Sequence, residues 1–150
     1  MSRADAAWLH MEEPTNLMMI TALFTFPGPV EKERLATALS ERLLAYDRFS
    51  MVATNPMLGL PQWKVYRNFQ LEEHLEVSHL GGAADEEALL ARVGDLMSTP
   101  LDRERPLWKF HLILGVKMDG HSNGSAIVVR LHHSIADGIA LMKVLLSLTD

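Results

Sequence analysis

The sequence predicts a mixed α and β domain, and three observations lead to this fold class. Residues 18–26 alternate two faces, as a β-strand does, whereas residues 31–46 and 85–97 repeat apolar side chains with helical spacing. Two apolar runs, 108–116 and 125–132, flank a segment with two turn dipeptides. We therefore expect an α+β sandwich, in which a sheet of several strands packs against two or three helices.

Composition limits the classes of protein that the chain can belong to. Its 150 residues suffice for one domain with its own core, and its net charge of −5 argues against nucleic acid as the main partner. The absence of cysteine excludes disulfides and cysteine-based zinc sites and is compatible with the cytoplasm. No signal peptide is evident at the N-terminus, and the charge-free run 14–30 contains three prolines, which does not fit a membrane-spanning helix. Peripheral contact with a membrane stays open.

The first half of the chain is predicted to alternate helices and strands. The predicted elements are a helix at 5–13, a strand at 18–26, a helix at 31–46 and strands at 49–54 and 63–66. Pro14 ends the first helix, because proline cannot continue it. Leu35, Leu39 and Leu43 recur every four residues, so they form the core stripe of the second helix.

The second half contains the predicted hairpin. Residues 69–80 have poor periodicity and are expected to be irregular. A helix follows at 85–97, with Asp85 as its N-cap and its inward side chains at Leu89, Val93, Leu96 and Met97. Strands 108–116 and 125–132 form an antiparallel hairpin that turns at Asp119-Gly120 and Asn123-Gly124, and the second strand is apolar on both faces, which favours a central position. A last helix at 138–148 is apolar nearly all round, so a second domain or chain is expected to cover it.

The segment between the hairpin and the last helix is His132-His133-Ser134-Ile135-Ala136-Asp137-Gly138. Because side chains alternate across a strand, only one of the two histidines is expected to face a given channel. A neutral imidazole near pH 7 can take a proton from a hydroxyl or thiol and return it to a leaving group. The segment therefore predicts general acid–base chemistry at the end of a strand.

Asp137 and Gly138 have structural and functional interpretations. Asp137 either caps the last helix or forms a buried ion pair with Arg130 or Arg3, or it orients a histidine directly; capping or ion pairing is the favoured interpretation. Gly138 leaves room beside the histidines or permits a positive φ.

Other catalytic classes fit the sequence less well. Four other histidines form no His-x-x-x-His spacing with a carboxylate, which disfavours a metal site; they are His74, His79, His111 and His121. The chain has no Gly-x-Ser-x-Gly, no glycine-rich phosphate loop and no cysteine, so covalent serine or cysteine catalysis is disfavoured. A lone histidine base fits direct transfer between two bound substrates.

The heptapeptide also matches His-His-x-x-x-Asp-Gly, by which the chain resembles the coenzyme-A-dependent acyltransferase superfamily. That superfamily includes chloramphenicol acetyltransferase-like enzymes and peptide-synthetase condensation domains. Arg105-Pro106-Leu107-Trp108 is similar to the Pro-Leu-Trp motif of bacterial wax ester synthase/acyl-CoA:diacylglycerol acyltransferases, and residues 5–12 and 16–22 resemble the opening of that family. The resemblance runs through the whole chain but covers only the N-terminal part of the family's usual length.

The resemblance implies a two-domain enzyme with a tunnel between its halves, of which residues 1–150 would form the N-terminal domain. It implies that His133 is the general base, that His132 supports its position, that Asp137 is structural and that Gly138 leaves room for substrate. Pro106, Leu107 and Trp108 would shape the fold or the tunnel, although plain packing explains Trp108 equally well. The implied substrates are an acyl-CoA and a long-chain alcohol or diacylglycerol, giving wax ester or triacylglycerol without a metal or a covalently bound cofactor.

The C-terminal half, as a second domain or a separate chain, would supply the other tunnel wall, part of the CoA site and the oxyanion donors. This chain alone is therefore expected to be inactive. Two other functions stay open. One is a related acyltransferase with another acceptor, as in polyketide-associated or condensation-type enzymes, and the other is a non-catalytic module on a lipid surface. The expected location is the cytoplasm, with possible peripheral contact at a membrane or lipid droplet.

Overall fold

A computed structural model describes residues 1–55 and 57–135, together with Lys143 and Leu146. The helices are α1 (Arg3–Met11), α2 (Lys32–Ala38) and α3 (Glu86–Met97). The strands are β1 (Met19–Phe26), β2 (Met51–Thr54), β3 (Gln62–Val65), β4 (Leu75–His79), β5 (Trp108–Met118) and β6 (His121–His132). This architecture confirms the predicted α+β class.

Four strands form the main sheet in the order β1-β6-β5-β4. Strand β4 runs parallel to β5, and the other neighbours are antiparallel. The predicted hairpin of β5 and β6 and the central position of β6 are therefore confirmed. The sheet is the frame on which the end of β6, with its two histidines, is held.

The hairpin turns at only one of the two predicted dipeptides. Asp119 and Gly120 have φ values of 47° and 77°, as a tight turn requires. The prediction of a turn at Asn123-Gly124 is wrong, because both residues lie within β6. Gly124 is needed there for close packing, since a Cβ atom would lie 2.9 Å from the carbonyl oxygens of Phe26 and Val116.

Two predicted boundaries in the β regions are also wrong. Phe49 lies in a 3₁₀ turn (Asp47–Ser50) that precedes β2, so the strand begins two residues later than predicted; β2 and β3 then pair as a separate two-stranded sheet. The segment 69–80 is not irregular, since it contains a 3₁₀ turn (Leu71–Glu73) and β4. Its alternation is obscured because β4 is an edge strand whose Glu76 pairs with Lys109 and Arg92 at the surface.

The helices follow the predicted apolar pattern with shifted ends. Helix α1 begins at Arg3, where the Ser2 hydroxyl oxygen accepts the Asp5 N–H, and ends at Met11. Helix α2 continues as a π-helical turn (Leu39–Leu43), and the predicted stripe of Leu35, Leu39 and Leu43 is buried.

The third helix confirms its predicted cap but not its full inward face. Asp85 Oδ1 accepts the Ala88 N–H at 2.9 Å, as an N-cap does. Leu89, Val93 and Leu96 are buried, whereas Met97 is 54% exposed, so its inward assignment is wrong. Met97 is the last residue of α3, where the helix ends and the chain turns away.

The two faces of the main sheet carry separate apolar clusters. On one face, Leu9 of α1 and the leucine stripe of residues 35–43 pack against Ile127, Val129 and Leu131 of β6. On the other face, α3 packs on Val128 and its neighbours. The central strand is therefore covered on both sides, which rigidly fixes its C-terminal end.

The predicted last helix, 138–148, lies outside the described residues except for Lys143 and Leu146, which both have helical backbone. Within the described part of the chain, no helix has the length and apolarity needed to cross a membrane.

Candidate active site

The histidine pair lies where β6 ends against the segments that precede β1 and β5. The His132 N–H donates to the Leu107 carbonyl at 3.0 Å, and the His133 N–H donates to the Met18 carbonyl at 2.9 Å. His132 is the last residue of β6, and His133 begins a turn in which the Ile135 N–H donates to the His132 carbonyl. Backbone hydrogen bonds to Leu107 and Met18 therefore fix the backbone positions of the two histidines.

His132 is a buried, neutral histidine. Its side chain is 1% exposed, and burial lowers its pKa from 6.5 to about 4, although the Glu12 carboxylate opposes this shift. The Ser134 N–H donates to Nδ1 at 3.1 Å, and the Ser134 hydroxyl oxygen lies 2.8 Å from the same nitrogen. The bond from the Ser134 N–H requires the tautomer whose proton lies on Nε2, whereas the other tautomer would donate from Nδ1 to the Ser134 hydroxyl.

His133 has a different environment. Its ring is half-buried and stacks on the indole of Trp8, with ring centroids 4.6 Å apart and an angle of 21° between the planes. Among the residues that the structure describes, none forms a hydrogen bond with its ring nitrogens. The ring is therefore held by its face, and its nitrogens have no protein partner within the described residues.

The carboxylate of Glu12, at the C-terminal end of α1, lies beside the pair. Its side chain is 10% exposed, and its Oε2 accepts hydrogen bonds from Arg103 Nη2 at 2.7 Å and Nε at 3.2 Å. Its Oε1 accepts the Met18 N–H at 3.3 Å and lies 3.5 Å from His132 Nε2. One ion pair thus joins α1, the segment before β5 and the histidine region.

The Pro-Leu-Trp segment is buried directly behind the histidines. Pro106, Leu107 and Trp108 are all inaccessible, and Leu107 supplies the carbonyl that holds His132. The Trp108 Nε1–H donates to the Phe49 carbonyl at 2.7 Å, and its ring stacks on His74. Trp108 is a core residue that opens β5.

His111 belongs to a separate cluster with Arg130. His111 Nε2 accepts from Arg130 Nε at 3.0 Å, and burial, with the nearby Arg130 charge, lowers the pKa of His111 to about 4. Arg130 also donates to the carbonyls of Leu96 and Thr99.

Asp137 and Gly138 lie outside the described residues, so their roles and the charge partner of Asp137 stay predictions. Across the described ranges, no three His, Asp or Glu side chains form a metal-ligand cluster.

Residue-by-residue reasoning from the sequence missed Trp8, Glu12 and Ser134 as parts of this site. Trp8 lies in α1 and Glu12 is its C-cap, four positions later, a spacing that places two side chains on one side of the helix. An aromatic ring and a carboxylate on one face of an amphipathic helix are the signal that points to them. Their partners, however, are set by the tertiary fold.

The described fold is of the chloramphenicol acetyltransferase-like type, as in the acyltransferase structure that it matches. Residues 1–150 match the family model described as the wax ester synthase/diacylglycerol acyltransferase catalytic domain. The chain belongs to this family.

Curated relatives and solved structures agree with that assignment. A putative diacylglycerol O-acyltransferase of Mycobacterium bovis is 34% identical over 151 residues, which cover 97% of this chain and 32% of the relative. A probable diacylglycerol O-acyltransferase of Mycobacterium tuberculosis strain H37Rv gives the same values. The structure of a wax ester synthase/diacylglycerol acyltransferase from Marinobacter aquaeolei VT8 is 27% identical with a TM-score of 0.75, covering 95% of this chain and 36% of that one.

A more distant neighbour shows the fold alone. It is the starter condensation domain of rhizomide synthetase in complex with C8-CoA, which is 19% identical with a TM-score of 0.76 and covers 99% of this chain and 33% of that one. The chain spans about a third of the length of the relatives that it matches.

Proposed function

We propose that this chain carries the general base of an O-acyltransferase that moves a fatty acyl group from acyl-CoA to a long-chain alcohol or diacylglycerol. The observation that supports this proposal best is the contrast between the two histidines. His132 is buried and bonded at Nδ1, whereas His133 is stacked on Trp8 and its ring nitrogens form no hydrogen bond with a described residue. Membership of the wax ester synthase/diacylglycerol acyltransferase family supplies the reaction class.

In the proposed reaction, a ring nitrogen of His133 takes the proton of the acceptor hydroxyl as its oxygen attacks the thioester carbonyl. The resulting tetrahedral intermediate collapses, the carbon–sulfur bond breaks, and the CoA thiolate leaves. The imidazolium of His133 returns the proton to that thiolate, so the products are an ester and free CoA. No covalent acyl-enzyme forms in this sequence.

We assign supporting roles to the other predicted site residues. His132 positions the turn that carries His133, since its ring accepts the Ser134 N–H. Pro106, Leu107 and Trp108 shape the wall behind His132, because the Leu107 carbonyl holds its amide and Trp108 fills the core. Asp137 is proposed to be structural and Gly138 to leave room for substrate.

We also propose that residues 1–150 form one half of the active site and that a C-terminal half completes it. The supporting observation is that the matched relatives are about three times as long. The C-terminal half would supply the second tunnel wall, part of the CoA site and the oxyanion donors. Family membership makes acyl-CoA the proposed co-substrate, and the proposed direct transfer uses no metal or covalently bound cofactor.

Peripheral contact with a membrane or lipid droplet from the cytoplasm completes the proposal. It is supported by the loop between β2 and β3, where Met57, Leu58 and Leu60 are exposed. Apolar side chains at the tip of a hairpin can enter the acyl boundary of a lipid surface, where a water-insoluble acceptor resides.

The test supplies palmitoyl-CoA with hexadecanol, a diacylglycerol or a long-chain amine, and detects the product by mass spectrometry. Two preparations are compared: the 150-residue chain alone, and the chain joined to the C-terminal portion that the relatives carry. Ester formation by the joined preparation supports the proposal. Amide formation instead indicates a condensation-type acceptor, lipid binding without transfer indicates a non-catalytic module, and transfer by the chain alone contradicts the half-site assignment.

A further inference from the structure

The carboxylate of Glu12 is the feature that the proposed reaction does not yet use. It lies at the end of α1, it is largely buried, and both of its oxygens have partners. Arg103 fixes Oε2 with two nitrogen atoms and also donates to the Leu9 carbonyl at 2.9 Å. This double anchorage holds the carboxylate in one orientation, because a guanidinium that bonds two acceptors has little freedom.

The other oxygen faces the buried histidine. Glu12 Oε1 lies 3.5 Å from His132 Nε2, which is inaccessible to solvent and has no hydrogen-bond partner within ordinary distance among the described residues. A buried N–H without a partner is unfavourable, so a carboxylate oxygen at this distance is the acceptor that satisfies it after a small shift. A negative charge beside Nε2 favours the tautomer that carries its proton there.

That tautomer decides how the next residues are held. With the proton on Nε2, Nδ1 keeps a lone pair and accepts the Ser134 N–H at 3.1 Å. With the proton on Nδ1, the ring would donate to the Ser134 hydroxyl instead, and the bond from the Ser134 N–H would be lost. The ring of His132 therefore closes the turn in which His133 lies.

Glu12 also reaches His133 by a second route. Its Oε1 accepts the Met18 N–H at 3.3 Å, and the Met18 carbonyl accepts the His133 N–H at 2.9 Å. Both routes end at the turn that carries His133. We propose that Glu12, anchored by Arg103, is a positioning residue that sets the tautomer of His132 and thereby fixes the turn carrying His133, an inference that rests on His133 being the base.

The experiment reads the tautomer and the activity separately. Imidazole ¹⁵N shifts of the ¹⁵N-histidine-labelled protein report which nitrogen of His132 carries the proton, with His132→Gln used for assignment. Wild type is expected to carry the proton on Nε2, Glu12→Gln to retain it because its amide oxygen still accepts, and Glu12→Leu to show a mixture or a proton on Nδ1. A proton on Nδ1 in the wild type overturns the proposal, even where Glu12→Leu does not fold.

Activity is measured in the preparation that transfers acyl groups. Glu12→Leu is expected to lower kcat by ~10-fold or more with little change in KM for acyl-CoA, and Glu12→Gln to recover most of the loss. The control is Asp5→Asn. Asp5 lies in α1 and forms an ion pair with Arg48, and loss of that ion pair should change neither the tautomer nor kcat.

The two proposals fail in different ways. If the wild type releases no CoA with any of the acceptors, the proposed reaction is wrong. The tautomer measurement still reports on Glu12 in that case. If Glu12→Leu is folded and keeps both the wild-type tautomer and the wild-type kcat, Glu12 is not a positioning residue, whatever the reaction.

Discussion

The indole of Trp8 lies nearly parallel to the imidazole of His133, with the two ring centroids 4.6 Å apart. Trp8 belongs to α1, and His133 follows the last residue of the central strand β6. The first helix of the chain therefore supplies the surface against which the proposed base rests. Glu12, the C-cap of α1, faces the other histidine, so the helix and its cap contact both members of the pair.

Loss of the Trp8 ring should slow the proposed reaction without preventing folding. Stacked aromatic pairs contribute about 0.5–1.5 kcal/mol, so Trp8→Leu is expected to lower kcat by up to about 10-fold. Trp8→Phe keeps an aromatic face and should retain most of the rate. The measurement is kcat and KM for acyl-CoA. The control is Tyr46→Leu, because Tyr46 is an exposed ring that packs at an angle of 75° to Phe49. A Trp8→Leu enzyme with wild-type kcat would show that the stack does not hold the base.

The free energy of unfolding should fall in mild acid. Burial lowers the pKa of His132 and of His111 from 6.5 to about 4, and it also lowers the pKa of His74. Below about pH 6.5, the unfolded chain binds protons at these histidines that the folded chain does not bind. The free energy of unfolding is therefore highest above about pH 6.5 and declines as the pH falls toward about 4. Each fully shifted histidine contributes a slope of up to about 1.4 kcal/mol per pH unit.

Urea unfolding at a series of pH values between 4 and 7.5 measures this decline. His132→Gln removes one of the shifted groups, so its stability should depend less steeply on pH than that of the wild type. An equally steep decline in His132→Gln would mean that His132 is not a buried neutral group.

Two glycine substitutions should change stability in opposite directions. Gly124→Ala places a Cβ atom 2.9 Å from two backbone oxygens, those of Phe26 and Val116, and is expected to destabilise the fold by about 1–3 kcal/mol. Gly94→Ala lies in α3 with no atom within 4 Å of the added Cβ, and it should stabilise by about 0.5–1 kcal/mol. Thermal unfolding of both variants tests the packing of β1, β6 and β5. A neutral Gly124→Ala would contradict the close approach of these strands.

The sequence predicted the fold well where local patterns and tertiary packing agree. The leucine stripe of residues 35–43, the Asp85 cap and the hairpin of β5 and β6 all follow from periodicity and turn chemistry. The pattern failed at β4, because an edge strand with ion-paired Glu76 shows no clean alternation. It also failed at Asn123-Gly124, where close strand packing rather than a turn requires the glycine.

Some residues of the candidate site were indicated by the sequence, and others are brought there only by the fold. The two histidines stand together in the sequence, so general-base chemistry could be proposed from them, and the family resemblance selected His133; that assignment stays a prediction. Trp8, Glu12 and Arg103 come from distant segments, and only the folded chain brings them to the pair. Their contacts depend on how α1 packs beside the end of β6, which no local pattern encodes.

The assignment of His133 as the base is tested most directly by the rate of CoA release in His133→Gln. Loss of a general base is typically worth ~10²–10⁴-fold, so kcat should fall by at least ~100-fold while the variant stays folded and still binds acyl-CoA. The matched comparison is Trp8→Phe, which keeps the base and its aromatic support. A folded His133→Gln enzyme that releases CoA and forms ester at near the wild-type rate would contradict the account.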